Sequence, residues 1–329
     1  MKKLKKFFDK LPGQIVAKYE QVFQLDTSSF ARRKRARKFF IFAMLFIPML
    51  HFFVFFVYVN INTIVLSFQR YDYNLGENIF VAFQNYRTVI KNLLTTDQLR
   101  VAIINSLIYF PVNNLIIIPL STITAYFMYR KVPGRNIFRV IFFLPSIISI
   151  VVLTMAFQFM FDPLFGPMND IIKSFGIDLP EGGWFGNPDT VMPMVYFYSV
   201  WAGIGFNMVL LNGAISRIPK EIIESARIDG IGMFKELTQI IVPMIWPTIT
   251  TLFVVGTTVI FTMFLQSLLL AGGGPSGASK TVAYIVVEMV QTGNLTEAAT
   301  FGVIFSIIGI PIILLVKNLM ERIGQSVEY

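Results

Sequence analysis

Residues 39–69 read FFIFAMLFIPMLHFFVFFVYVNINTIVLSFQ, a stretch without one Asp, Glu, Lys or Arg. A helix crosses the hydrocarbon of a bilayer with about 20 apolar residues, so this run is long enough to span one. Working outward, five more runs of at least 19 residues are free of charge: 101–129, 140–161, 190–216, 237–279 and 298–316. The run 237–279 is long enough for two crossings, but from Ala271 to Ser279 it is mainly Gly, Pro and Ser, so it is read as one span and a loop. The whole chain of 329 residues is 55% hydrophobic and 14% charged, against about 25% charged for an ordinary soluble domain. These numbers predict an all-α membrane protein with six transmembrane helices near 39–68, 103–129, 138–161, 190–215, 240–268 and 298–317. They form one membrane domain over 39–320, between an N-terminal segment 1–38 and a tail 321–329.

The charges set the orientation. With the N-terminus inside, the inner stretches 1–38, 130–139, 217–236 and 317–329 hold 22 of the 28 basic residues and nine of the 19 acidic ones. This is the positive-inside pattern of a plasma-membrane protein with both termini in the cytoplasm, and it accounts for the basic balance without nucleic acid. The basic start, Met1 to Lys10, is followed by polar residues instead of an apolar core, so no cleavable signal is read there and the first span is its own insertion signal. Between them, Leu4, Phe7, Phe8, Leu11, Ile15, Tyr19 and Val22 recur at roughly helical spacing among lysines. That segment suits either a helix lying on the membrane surface or a solvated tail. The cluster from Arg32 to Lys38 fixes topology in both cases.

Enzyme chemistry is short of participants. Cysteine is absent and His51 is the only histidine, which removes disulfides, thiolate nucleophiles and Cys or His metal centres. A membrane-embedded enzyme remains the alternative of another class, and it is disfavoured because no span carries an acidic residue. The polar content of the spans is instead amide and hydroxyl. Asn60, Asn62 and Thr63 lie in the first span, Asn105, Asn113, Asn114 and Pro119 in the second, and Pro145 and Gln158 in the third. Such groups avoid lipid, so a face of each helix looks at protein or water. The outer stretch 162–189 is rich in turn pairs, with a short helix expected over 168–175. In the fourth span Tyr196, Tyr198, Ser199, Trp201, Gly203, Gly205, Phe206, Asn207 and Asn212 suit the lining of a cavity for a polar ligand. They equally suit close helix packing with an aromatic belt.

The loop 217–239 carries Pro219-Lys220-Glu221-Ile222-Ile223-Glu224-Ser225-Ala226-Arg227-Ile228-Asp229-Gly230, and Ile240-Ile241-Val242-Pro243 follows it. Pro219 suits a first helical turn. Ile222, Ile223 and Ala226 are expected on one face and Glu221, Glu224 and Ser225 on another, and Asp229-Gly230 stops the helix. The result is a short amphipathic lever on the cytoplasmic side, suited to mechanical input from a soluble partner.

This loop resembles the signature of permease subunits of type I binding-protein-dependent ABC importers of the maltose and multiple-sugar kind. Glu224, Ala226, Gly230, Ile240 and Pro243 stand at the family's spacings, with Ser225 and Val242 as mild departures. Ile228-Asp229-Gly230 and Gly273-Gly274-Pro275 match the sugar-importer form. The resemblance covers roughly residues 39–320. It implies that Glu221, Glu224, Ser225, Ala226, Asp229, Gly230, Ile240 and Pro243 form a coupling helix seated in a separate ATP-binding subunit. It also implies that the chain binds no cofactor itself, ATP and magnesium belonging to two such subunits. The further partners implied are a second permease, membrane lipid and an extracytoplasmic solute-binding protein. By position the resemblance places Ser199, Gly203, Phe206, Gly256, Val259, Ile260 and Met263 at a sugar site, with Trp201 and Asn207 beside them. The fifth-span members of that set are largely apolar, so either Thr257, Thr258, Thr262 and Gln266 serve instead with the helix rotated, or the partner permease carries most of the contacts. The expected cargo is an oligosaccharide or glycoside, glycerol phosphates or peptides being the same-class alternative. The glycine-rich Gly272 to Thr281 looks superficially like a phosphate-binding loop, but the lysine such a loop needs is replaced by Ala278.

Overall fold

The computed structural model describes residues 29–72 and 74–324, so the surface-helix reading of 1–28 and the last five residues of the tail lie outside the described residues. The chain divides into two units, Met1–Thr63 and Ile64–Tyr329. Helix α1 begins at Ser29, runs as Ser29–Phe52, takes the π form over Phe53–Tyr58 and continues as Val59–Ser67. A small antiparallel hairpin follows, Gln69–Asp72 against Glu77–Phe80. It is the one departure from an all-helical fold among the described residues. Asp72 closes it, accepting the Asn74 amide at 2.8 Å through its side chain and the Gly76 amide at 2.8 Å through its carbonyl.

The second unit continues with α2 (Gln84–Thr95), α3 (Asp97–Tyr129), α4 (Arg135–Ile147), α5 (Ile150–Met160) and α6 (Pro167–Ser174). Then come α7 (Pro188–Ile215), α8 (Lys220–Ile228), α9 (Met233–Met244), α10 (Trp246–Thr262), α11 (Leu265–Ala271), α12 (Val282–Gln291) and α13 (Leu295–Ile323). Four helices, α1, α3, α7 and α13, are each long and apolar enough to cross a membrane. The pairs α4 with α5 and α9 with α10 qualify only when joined, which brings the number to as many as six.

Two of the expected straight spans are broken. The segment 138–161 bends by 111° between α4 and α5. Pro145 has no N–H to give the ladder and its ring obstructs the carbonyl one turn back, and the backbone then opens at Ile148 and Ser149, where ψ is 141° and 134°. The segment 240–268 is three pieces. The first bend, 75° at Ile245, lies midway between Pro243 and Pro247. In a continuous helix the Pro247 ring would clash with the Pro243 carbonyl, so the axis has to turn there. The second break is at Met263, which has neither proline nor glycine beside it. There the Thr281 hydroxyl donates to the Met263 carbonyl and holds it out of the helical ladder. The sequence reading also placed no helix at Gln84–Thr95 or Val282–Gln291, which are short amphipathic pieces instead of long apolar runs.

Polar side chains pin the long helices to one another. Asn114, fully buried in α3, donates to the Thr257 hydroxyl of α10 at 3.3 Å, and Asn113 donates to Asn114 at 3.1 Å. Tyr196 of α7 donates to the Asn105 carbonyl of α3 at 2.8 Å, and Gln158 of α5 donates to the Leu270 carbonyl at 2.7 Å. Gly256 makes the α3–α10 approach possible, because a Cβ at that position would overlap the carboxamides of both Asn113 and Asn114. Small residues at such crossings let helix backbones close up where no water-driven force does it.

Gly256→Val is therefore expected to push Asn114 off Thr257 and cost about 1–3 kcal/mol, the usual range for overpacking a filled core. Gly302 has no atom within 4 Å of where a Cβ would go, so Gly302→Ala should not lower stability and, inside a helix, should raise it by up to about 1 kcal/mol. Thermal unfolding of the two variants in detergent checks the pair.

Candidate functional site

Two places bear on the roles expected from the sequence: the exposed loop of α8 and α9, and a cavity at the break between α4 and α5. In the loop, α8 starts after Pro219 and ends in a Schellman motif. The Ile231 amide reaches back to the Ala226 carbonyl and the Gly230 amide to that of Arg227, both at 3.1 Å. Gly230 sits at φ +75°, the left-handed region that a side chain adopts only with strain. Ile223 and Ala226 are buried against the helical body, whereas Glu221, Glu224, Ser225 and Asp229 are exposed. Ile222 does not share the buried face as its sequence position led us to expect; it is 38% exposed, being one residue, about 100° of rotation, from Ile223. Ile240 and Pro243 are half-buried in α9. Ile228 is 86% exposed and Phe234 is 77% exposed, so the outer surface of this loop carries apolar side chains as well as carboxylates.

The loop is held by a carboxylate that the sequence did not single out. Glu236, with its side chain fully buried, receives Arg130 Nη1 on Oε2 at 3.2 Å. Arg227 of α8 grips it with two bonds, Nε to Oε2 at 3.2 Å and Nη2 to Oε1 at 3.1 Å. Arg130 also donates to the Tyr126 hydroxyl at 3.1 Å, and that hydroxyl donates to the Met233 carbonyl at 3.2 Å. The bond from Arg227 to Glu236 pushes the arginine above its ordinary value, so its charge is secure. One buried acid thus ties α3, α8 and α9 together at a single point. Its signal in the sequence is faint: an isolated glutamate in a loop with both signs of charge.

The cavity, about 320 Å³, is lined by α3, α4, α5, α7, α10 and α11. Tyr109, Asn113, Ser146, Tyr198, Ser199 and Gln266 supply its polar groups, and no charged residue lines it. Tyr109 and Ser199 hydroxyls lie 2.6 Å apart. Pro145, Ile148 and Ile150 form one wall, so the open backbone at the 111° bend faces this space. Non-helical backbone at membrane depth is tolerated where it lines a cavity or is buried in protein.

Of the residues singled out from sequence, Ser199, Gly203, Val259 and Gln266 line the cavity together. Gly256, Thr257, Ile260 and Met263 are buried in helix contacts instead. Trp201 stacks on Phe157 with ring centres 5.7 Å apart, and Asn207 donates to the Gly203 carbonyl of its own helix at 3.2 Å. Phe206 is 60% exposed and is outside the cavity wall. Tyr198, named with the fourth-span aromatics, lines it too, and the residues that sequence reasoning left out, Tyr109 and Ser146, belong to it because α3 and the α4–α5 bend close on α7. The glycine-rich stretch after α11 is a brace. The Asn105 amide donates to the Ala278 and Lys280 carbonyls at 2.8 and 2.9 Å, and the Val282 amide donates to the Ser106 hydroxyl at 2.9 Å.

A sequence model of the family described as binding-protein-dependent transport system inner membrane component matches residues 117–329. The chain belongs to that family. This permease is similar to the arabinooligosaccharides transport system permease protein AraP of Bacillus subtilis, with 29% identity over 265 residues, 79% of this chain and 81% of the relative. It is also similar to the multiple sugar-binding transport system permease protein MsmF of Streptococcus mutans, with 26% identity over 290 residues, 87% and 97% of the two chains. Its fold is that of a chain from a bacterial ABC transporter involved in the import of the acidic polysaccharide alginate. The TM-score is 0.76 at 23% identity, covering 89% of this chain and 99% of that one. A second structure of such a transporter, in complex with an alginate pentasaccharide-bound periplasmic protein, matches with a TM-score of 0.75.

In this permease Glu236→Ala would leave two guanidiniums facing each other at the root of α8. Breaking a fully buried ion pair costs roughly 3–5 kcal/mol, and the loss here should be smaller because the Arg227 side chain is 42% exposed and can swing into water. Glu236→Ala is expected to lower the unfolding temperature and expose the α8 loop to protease. The triple variant with Arg130→Met and Arg227→Met should recover part of the temperature shift. Limited proteolysis beside thermal unfolding checks both.

Proposed function

We propose that this chain is one membrane-spanning half of an ATP-driven importer that translocates a neutral sugar, an oligosaccharide or glycoside, delivered by an extracytoplasmic binding protein. The observation that carries the substrate class is the cavity at the α4–α5 bend. Its polar lining is hydroxyl and carboxamide, with tyrosine faces and without charge. That combination bonds and stacks polyhydroxylated solutes and offers nothing to neutralise a phosphate or a peptide terminus. The similarity to AraP and MsmF supports the same class.

In this reading the energy comes from outside the chain. Two ATP-binding subunits hold ATP and magnesium, and the α8 loop is where one of them pushes. Glu221, Glu224 and Ser225 meet it from the exposed face, with Ile228 and Phe234 as the apolar part of the contact. Ile223 and Ala226 root the lever, and Gly230 sets its angle. The Glu236 tie passes the displacement to α3 and α9, whose continuations reach the cavity. A second permease closes the other side of the translocation path. The α8 end and both termini face the cytoplasm, and the hairpin, α6 and α12 face the outside. The excess of basic residues at the α8 end supports this orientation.

Two experiments test the reading. The chain has no cysteine, so single cysteines report topology without background. Ser174 and Ser216, both exposed, are suitable sites. Ser174→Cys should react with an impermeant maleimide on intact cells and Ser216→Cys only after the membrane is opened; external labelling of Ser216→Cys would overturn the orientation. Separately, Gly230→Val forces a β-branched residue to φ +75°, at about 1–3 kcal/mol of strain. Relief of that strain re-aims α8. In the reconstituted complex, binding-protein-stimulated ATP hydrolysis should fall together with uptake, whereas Gln266→Leu in the cavity wall should depress uptake of the sugar more than ATP hydrolysis. Wild-type coupling in Gly230→Val would remove α8 as the contact with the ATP-binding subunit.

A further inference from the structure

A second concave site lies at the α8 end of the membrane domain, about 340 Å³ in volume, where the start of α4 meets the end of α7. Arg135 and Arg139 enter it from α4, one turn apart and so on one face. Asn136 and Asn212 add amides, Met128, Met208 and Val209 form the apolar floor, and Gly213 leaves the rim open. Among the described residues the two arginines have no counter-ion. The ion pairs among the described residues join Arg130 and Arg227 to Glu236, Lys280 to Glu288 and Lys317 to Glu321, and none includes Arg135 or Arg139. No hydrogen bond engages either guanidinium among the described residues. Beside the cavity the same helix shows Ile137, Phe138, Val140 and Ile141, all exposed and apolar. A turn that has just left the aqueous side at Gly134 thus presents two unpaired cations at headgroup level, directly beside a surface suited to acyl chains.

We propose that this cavity binds the phosphate headgroup of an anionic phospholipid, with its chains lying along α4. The positive-inside pattern explains why arginines are found at this end of the span. It does not explain why two of them share one cavity with two amides and no acid. Basic pockets between transmembrane helices on the cytoplasmic side are suited to lipid phosphates, because arginine forks match phosphate oxygens and the nearby membrane supplies the ligand at high local concentration. The occupant is a lipid and not the acidic surface of a protein, since the wall next to the arginines is lipid-compatible aliphatic surface instead of polar rim.

The test uses the full chain purified with its transporter subunits in detergent and then offered phosphatidylglycerol or phosphatidylcholine. Native mass spectrometry counts retained lipid and thermal unfolding reads the stabilisation. The wild type should retain phosphatidylglycerol in preference to phosphatidylcholine. At about 1 kcal/mol per arginine, Arg135→Gln with Arg139→Gln should cut that preference roughly 25-fold. Arg139→Gln alone, at an exposed position that folding does not depend on, should give an intermediate value. Arg217→Gln removes the same charge outside the cavity and should change nothing. Equal stabilisation by inorganic phosphate without lipid would overturn the lipid assignment. So would an unchanged preference in the double variant, and so would a complex in which phosphatidylglycerol has no advantage, which would leave this face to a protein neighbour.

Discussion

Inside hydrocarbon a backbone N–H or C=O has no water to turn to, so each interruption of a helix must be matched by a partner from elsewhere in the chain. The layout of this permease follows from how its interruptions are matched. The Met263 carbonyl, which leaves the helical ladder, is taken up by the Thr281 hydroxyl. That bond brings the chain after the glycine-rich stretch back against α10, and Asn105 and Ser106 of α3 secure the same stretch from the other side. At the α4–α5 bend the opened backbone faces a cavity, where hydroxyls and amides gather, the groups on which the proposed sugar cargo rests.

The same rule separates what the sequence made legible from what it did not. Absence of charge over residues 39–69 and five other runs was enough to mark the membrane segments, because a single unpaired charge in hydrocarbon is costly and its absence is therefore informative. The α8 loop could be read down to its stop at Gly230, since a helix end needs a left-handed residue and glycine supplies it at least cost. The bends were less visible. Pro243 and Pro247, four apart, do announce the turn at Ile245, but Met263 carries no local sign because the group that breaks the helix there is 18 residues further on.

The candidate site shows the same division. Tyr198, Ser199 and Gly203 were accessible from the aromatic, Gly and hydroxyl content of one helix, and the family resemblance pointed to Ser199 and Gly203 again, with Gln266 as its alternative in the fifth span. Tyr109 and Ser146 join them only through the crossing of α3 and α4 with α7, which no single-helix periodicity contains. Glu236 was missed for a related reason. A glutamate in a charged loop reads as solvated until Arg130, 106 positions away, is placed against it. Thr257 is the converse: a polar residue that spacing made a candidate for solute contact spends its bonding capacity on the Phe253 carbonyl and on Asn114.

The two interruptions in the 240–268 segment differ in permanence. At Ile245 the bend lies between two pyrrolidine rings, and because Pro247 has no N–H to give the Pro243 carbonyl, straightening it would restore no hydrogen bond there. At Met263 the break hangs on a hydroxyl, a bond whose net worth is on the order of 1 kcal/mol, comparable with thermal energy. The first break is thus kept by a bond the chain cannot make and the second by one it can give up, so of the two ends of α10 the one beside the cavity is the more readily remade.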